Sequence, residues 1–242
     1  MKLPCFGRAA LAALRQGRNA GGYNACRMPP QLYYITDRRQ FPGDAQEQER
    51  MLLEKIAECA AAGVDLVQLR EKDLSARALE ELALKAMAAV TGSRTRLLIN
   101  SRTDVALACG AHGVHLPASD LAASDARAIF ARAGVSEPVI GVSAHSAADV
   151  ASAEAHGADF AVFAPVFEKG GTASPEGLEE LRRICHRREA AQPPMPVLAL
   201  GGITLENAPL CVAAGAAGIA AIRLFQQSDV RGIMKKLCVL WA

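Results

Sequence analysis

The sequence predicts an α/β fold, a single (β/α)8 barrel of the TIM type preceded by a basic N-terminal extension. Three observations carry that prediction. After Pro30, short apolar runs of strand length alternate with longer amphipathic segments, the pattern of a parallel sheet whose strands are joined by helices. A four-residue echo recurs before every second strand: Ala62-Gly63-Val64-Asp65, Cys109-Gly110-Ala111-His112, His156-Gly157-Ala158-Asp159 and Ala214-Gly215-Ala216-Ala217. Each glycine suits the left-handed residue that closes a helix, and the even spacing of the first three suits a barrel built of two-unit modules. Finally, the strand candidates end in polar residues, which is where such barrels carry their chemistry.

The elements follow in order. The first strand, Leu32–Thr36, is aromatic and apolar and runs into Asp37. The second, Leu66–Arg70, alternates so that Gln68 and Arg70 share one face, which must be the barrel interior if both are to reach the mouth; Glu71 and Lys72 follow. The third, Leu97–Asn100, leads into Ser101-Arg102, and the fourth, Gly113–Leu116, contains His115, with Asp120 shortly after. Val139–Ser143 leads to Ala144-His145, and Phe160–Ala164 to Pro165-Val166-Phe167-Glu168-Lys169. Val197–Leu200 ends at Gly201-Gly202, and Gly218–Ile222 at Arg223. Eight strand–helix units in residues 31–242 suit a closed barrel, which needs about 200–250 residues. An open doubly wound sheet is the alternative arrangement, although its GxGxxG turn after the first strand is missing.

Composition excludes several function classes. Twenty-seven basic side chains nearly cancel 25 acidic ones, so no strongly positive face for nucleic acid or an anionic membrane is expected. The longest apolar stretch, around Pro209–Ile222, is broken by Gly215 and Gly218 and is too short to span a bilayer. Seven scattered cysteines without a CxxC pair or Cys/His cluster point to a reducing compartment and no structural zinc. Residues 1–30 carry Lys2, Arg8, Arg15, Arg18 and Arg27 with no acid, around a short apolar patch, Ala9–Leu14. Transit peptides share that composition, but a plain extension, or a true start at Met28, is preferred, and a cytoplasmic location is expected. The oligomeric state, including a homo-oligomer, is left open.

A guanidinium aimed into a pocket needs an anion. Arg70 and Lys72 together suit a phosphate or carboxylate, with pairing of Arg70 to a carboxylate such as Asp37 as the structural alternative. Gly201 and Gly202, with the turn at Ile222 and Arg223, suit the phosphate cradle that barrels place after strands seven and eight. His145 is the best acid/base candidate because it follows a strand and an imidazole can both give and take a proton near neutral pH. His115 lies within an apolar strand, where a hydrogen-bonded core histidine is at least as good a reading, and His112, His156 and His186 read as surface or helix-end residues.

Several motifs together identify a resemblance: Tyr34-Ile35-Thr36-Asp37, Val67-Gln68-Leu69-Arg70-Glu71-Lys72, Asn100-Ser101-Arg102-Thr103-Asp104, Gly113-Val114-His115-Leu116, Gly141-Val142-Ser143-Ala144-His145-Ser146, Pro165-Val166-Phe167 and Ala199-Leu200-Gly201-Gly202-Ile203. In this order and spacing the chain resembles the thiamine phosphate synthase and thiazole tautomerase superfamily over nearly all of Leu32–Met234. The resemblance implies a thiamine-biosynthesis enzyme acting on a phosphorylated thiazole. In the synthase a hydroxymethylpyrimidine diphosphate loses pyrophosphate and the thiazole nitrogen captures the pyrimidine cation, with Mg2+ as cofactor. By the same resemblance Gln68, Arg70, Lys72 and Asn100 match diphosphate and pyrimidine contacts, and Asp120 one of two magnesium aspartates. Ser143, Lys169, Gly201, Gly202, Ile222 and Arg223 complete the expected substrate-binding set, although Arg223 stands where the family tends to have a small residue and either grips the phosphate or narrows its site.

Three departures favour the tautomerase branch. Ser101 stands where the synthase has its second aspartate, Leu116-Pro117 replaces Leu-Gly-Gln, and Glu168 follows Phe167 where a Thr-x-Thr-Lys run is expected. A tautomerase implies no metal, and a proton moved by the histidine matched by His145, an acid/base contribution of about 10²–10⁴ in rate. Asp120, Arg70 and Lys72 pull toward the synthase. The tautomerase is therefore expected first, the synthase second, and a non-catalytic binder of a thiamine precursor third.

Overall fold

The computed structural model describes residues 31–168, 175–186, 194–227 and 229–240; the N-terminal extension and Lys169 lie outside the described residues. All eight expected strands form, within a residue or two of their expected ends: β1 (Gln31–Ile35), β2 (Leu66–Leu69), β3 (Arg96–Asn100), β4 (Gly113–Leu116), β5 (Val139–Ala144), β6 (Phe160–Phe163), β7 (Val197–Ala199) and β8 (Gly218–Ala221). Every neighbouring pair is parallel and β8 closes onto β1, with Tyr33 opposite both Leu66 and Ala220. Closure rules out the open doubly wound sheet.

Helices α1 (Ala45–Ala62), α2 (Ala76–Val90), α3 (Thr103–Ala108), α4 (Ala123–Arg132), α5 (Ala147–Ala155), α6 (Pro175–Cys185) and α7 (Ala208–Ala213) follow β1 to β7, and the short α8 (Arg223–Gln226) and α9 (Val230–Leu240) follow β8. Side-chain oxygens of Asp44, Ser75 and Ser146 accept backbone N–H bonds at the starts of α1, α2 and α5. The glycines of the four echoes, Gly63, Gly110, Gly157 and Gly215, all have φ between +67° and +99°, as helix closure by a left-handed residue requires.

Strand alternation divides the core in two. Tyr33, Ile35, Leu66, Leu98, Phe160, Val162 and Leu198 fill the barrel interior. Residues of opposite parity, such as Tyr34, Val67, Leu69, Leu97 and Ile99, pack outward on the helices against Leu52, Ile56, Leu79 and Leu82. Each such fully buried side chain contributes about 1.5–3 kcal/mol of apolar transfer. No described helix is long and apolar enough to cross a membrane.

Candidate active site

The interior of the barrel turns polar one layer below its mouth. Gln68 Nε2 donates to the Tyr33 hydroxyl (3.0 Å), which lies 3.2 Å from His115 Nδ1, and His115 Nε2 lies 2.9 Å from Ser143 Oγ. Four strands, β2, β1, β4 and β5, thus feed one hydrogen-bonded chain across the barrel. Phe160 packs edge-on against Tyr33 and tilted against His115. Burial, with the Arg70 charge as the second cause, pushes the His115 pKa down to about 3, so its imidazole is neutral. Burial likewise raises the Tyr33 phenol well above its ordinary range. The buried, hydrogen-bonded reading of His115 holds. Tyr33, which closes this chain, was not among the expected site residues.

Arg70 stands half-buried at the end of β2, with Lys72 exposed beyond it. The expected alternative, an Arg70–Asp37 ion pair, does not form among the described residues; Asp37 instead accepts from Gln40 Nε2 at 2.7 Å. The buried ion cluster lies on the other side of the strand. Arg38 Nη1 donates to Glu71 Oε2 (3.0 Å), and its two terminal nitrogens clasp the Asp73 carboxylate at 2.7 Å each. Thr36 Oγ1 donates to Glu71 (2.6 Å) and accepts from the Arg70 backbone N–H (2.9 Å), so this cluster fixes the backbone from which Arg70 and Lys72 project. Burial raises the Glu71 pKa against the opposing hydrogen bonds of Thr36 and Arg38.

At the ends of β3 and β4, Ser101 has φ +63° and its N–H donates to His115 O at 2.8 Å. This turn carries the Ser101 hydroxyl against the Asp120 carboxylate, to which it donates. Asn100 precedes it, half-buried on the inner face beside His115 in the register. No group of three or more metal-ligating His, Cys, Asp or Glu occurs among the described residues. The Asp120 carboxylate with the Ser101 hydroxyl is nonetheless a hard oxygen pair of the kind Mg2+ takes when substrate phosphates supply further ligands. The donor set fits that ion.

His145 is exposed just past β5, where its backbone N–H donates to Asp149 and its Nδ1 lies 2.8 Å from the Ala164 carbonyl oxygen. A carbonyl only accepts, so Nδ1 carries the proton of the neutral ring and Nε2 is left as the basic nitrogen. His156 closes α5, and His186 is exposed just beyond α6, as expected. His112 is half-buried and accepts from Leu97 N at 3.0 Å.

The glycine pair lines a cavity of about 430 Å³ between the ends of β7 and β8, with Thr204, Ile222 and Arg223 on its walls. Gly201 and Gly202 have φ of +101° and +59°, and a Cβ on Gly202 would stand 2.2 Å from the Glu168 carbonyl oxygen. Phe167 N–H and Asn207 Nδ2 bond to their carbonyls. Those two carbonyls are thus engaged elsewhere, while Glu206 of the same loop also lines the cavity, opposite in sign to Arg223.

A model of the family described as thiamine monophosphate synthase matches residues 32–225, from the first strand through the last. The chain belongs to that family. A putative thiamine-phosphate synthase of Geobacter sulfurreducens is 45% identical over 195 residues, covering 79% of this chain and 84% of that protein. A putative thiamine-phosphate synthase 2 of Aquifex aeolicus is 38% identical over 198 residues, covering 81% and 97%. The thiamine phosphate pyrophosphorylase structure of Pyrococcus furiosus superposes with a TM-score of 0.70 at 30% identity, over 88% of this chain and 95% of that one. This thiamine monophosphate synthase family member is therefore an enzyme of thiamine biosynthesis. These relatives bear the names of synthases, which reverses the order of the two enzymatic readings drawn from the sequence.

Proposed function

We propose that the protein is a thiamine phosphate synthase, joining a hydroxymethylpyrimidine diphosphate to a thiazole phosphate with release of pyrophosphate. The observation that carries this reading is the Asp120 carboxylate, which follows β4 and is held by Ser101 at the end of β3, the strand beside the cationic end of β2. Bound there, Mg2+ would neutralise charge on the departing pyrophosphate. Arg70 and Lys72 bind the diphosphate oxygens, the first by a planar two-pronged contact and the second as a mobile point charge. The Gly201-Gly202 turn and Arg223 hold the thiazole phosphate, so that the ring nitrogen faces the pyrimidine methylene. The carbon–oxygen bond to the diphosphate breaks, the nitrogen lone pair forms the new carbon–nitrogen bond, and the phosphates hold both partners in reach.

The test is thiamine phosphate formation from the two substrates and Mg2+, with Asp120→Ala alongside. Turnover that is lost in the variant supports the synthase, and no turnover in the intact protein refutes it. One observation favours a second reading, a thiazole tautomerase: His145 is oriented by Ala164 with Nε2 free to take and return a proton. Isomerisation of the dearomatised carboxythiazole phosphate that falls at least 100-fold in His145→Ala would establish it. If neither reaction occurs and phosphate affinity survives His145→Ala, the protein is a binder.

A further inference from the structure

The chain across the barrel has a direction, and its two ends are not independent. The Gln68 amide nitrogen can only donate, so the Tyr33 oxygen accepts from it. The single phenolic hydrogen is then directed at His115 Nδ1, the other partner of Tyr33 in reach. Nδ1 therefore accepts, and the one ring proton of the neutral imidazole sits on Nε2, donated to Ser143 Oγ. The Ser143 hydroxyl hydrogen is thereby turned away from His115. At the other end the Gln68 amide oxygen is the atom left facing away from Tyr33. Tyr33 is 0% and His115 3% exposed, so neither reaches solvent to exchange partners, whereas Ser143 is half-exposed.

We propose that Tyr33 and His115 are positioning residues that lock Gln68 and Ser143 into opposite hydrogen-bonding senses, Gln68 as acceptor and Ser143 as donor. Reversing one end would require flipping the amide, shifting the imidazole proton to Nδ1 and turning the phenol together, because a neutral histidine has only one proton to place. The polarity at the floor of the mouth is set by buried groups that touch no substrate. A ring edge that offers a donor to Gln68 and an acceptor to Ser143 fits it, which is the edge of a cyclic amidine such as an aminopyrimidine. An oxo ring presents the reverse order, and a diphosphate tethered at Arg70 and Lys72 prevents the ring from turning over to compensate. The choice of an aminopyrimidine rests on the synthase reading above; the coupling of the two ends does not.

Two measurements test this. Nitrogen-15 NMR of histidine-labelled protein should show His115 with a pyridine-type Nδ1 and a protonated Nε2, and Tyr33→Phe should shift that signal. Calorimetric titration should then find an aminopyrimidine diphosphate bound about tenfold or more tightly than its oxo analogue, as expected for one mismatched hydrogen bond. In Tyr33→Phe that preference should fall to within about threefold, with thiazole phosphate affinity unchanged. A merely structural role would weaken both pyrimidines equally and leave their ratio intact, which overturns the proposal. A His115 protonated on Nδ1, equal binding of the two analogues by the intact protein, or binding of neither also overturns it. Preference intact without coupled product refutes the synthase reading alone.

Discussion

Arg38→Leu should destabilise the protein in a strongly pH-dependent way, because it strands a buried carboxylate. The Arg38 and Glu71 side chains are 10% and 1% exposed, and their 3.0 Å contact is the charge partner of Glu71. Removing one member of a buried pair costs about 3–5 kcal/mol, since the remaining charge keeps its desolvation penalty. Glu71 would retain the Thr36 hydroxyl and the backbone N–H of residue 38, which places the loss near the lower end, about 3 kcal/mol. For a domain of this size that corresponds to a fall in Tm of roughly 6–12 °C. The pH dependence follows from the direction of the Glu71 shift. Burial already raises its pKa in the folded protein, and loss of Arg38 raises it further. The folded variant then holds a proton that the unfolded chain has released, so its stability falls as pH rises from the ordinary carboxylate range through the folded pKa. Relative to the parent, the deficit should be largest at pH 8 and smaller at pH 5, and Arg38→Leu with Glu71→Gln should recover most of it at pH 8. Urea unfolding of the three proteins at both pH values measures this. A deficit independent of pH, or a double variant no better than the single one, would refute the argument.

Two further perturbations probe the mouth. Gly202→Ala places a Cβ against the Glu168 carbonyl at a backbone φ of +59°, and should weaken thiazole phosphate binding at least tenfold by displacing the loop that lines the cavity, as read by calorimetry. Ser101→Asp supplies a second carboxylate beside Asp120 at a left-handed position that aspartate tolerates, and should lower several-fold the Mg2+ concentration needed for half-maximal coupling; an unchanged requirement would place the limit in the loop after β6.

The barrel was legible because apolar runs of strand length and helix-closing glycines are local signals, repeated eight and four times along the chain. Partnerships across the barrel are not local. The sequence assigned Arg70 to an anion and offered a pair with Asp37 only as the alternative; the pair that forms, Arg38 with Glu71, lies one residue further along each segment. The alternation that places Gln68 and Arg70 inside already assigns Glu71, with Leu69, to the layer behind the sheet, where a carboxylate must find a cation. That half of the inference was available. Asp37, by contrast, precedes a single 3-10 turn, Arg38–Gln40, whose orientation no period predicts. Tyr33 was missed for a similar reason: the recognisable motif begins at Tyr34, whose hydroxyl points outward to Gln226 at 3.1 Å. Adjacent tyrosines of opposite parity serve opposite sides of one strand.

The same parity explains how the two polar assemblies divide their work. Inside the barrel, Gln68, Tyr33, His115 and Ser143 set hydrogen-bond direction; behind the sheet, Thr36, Glu71, Arg38 and Asp73 hold the loop after β2. Residue 70 joins them. Its backbone N–H is anchored to Thr36 on the outer side, while its charge bears on His115 on the inner side. On the synthase reading, loosening the outer cluster should move a cation relative to the mouth without touching the inner chain, and so raise KM for the diphosphate substrate. Breaking the inner chain leaves that cation in place and changes which ring is accepted.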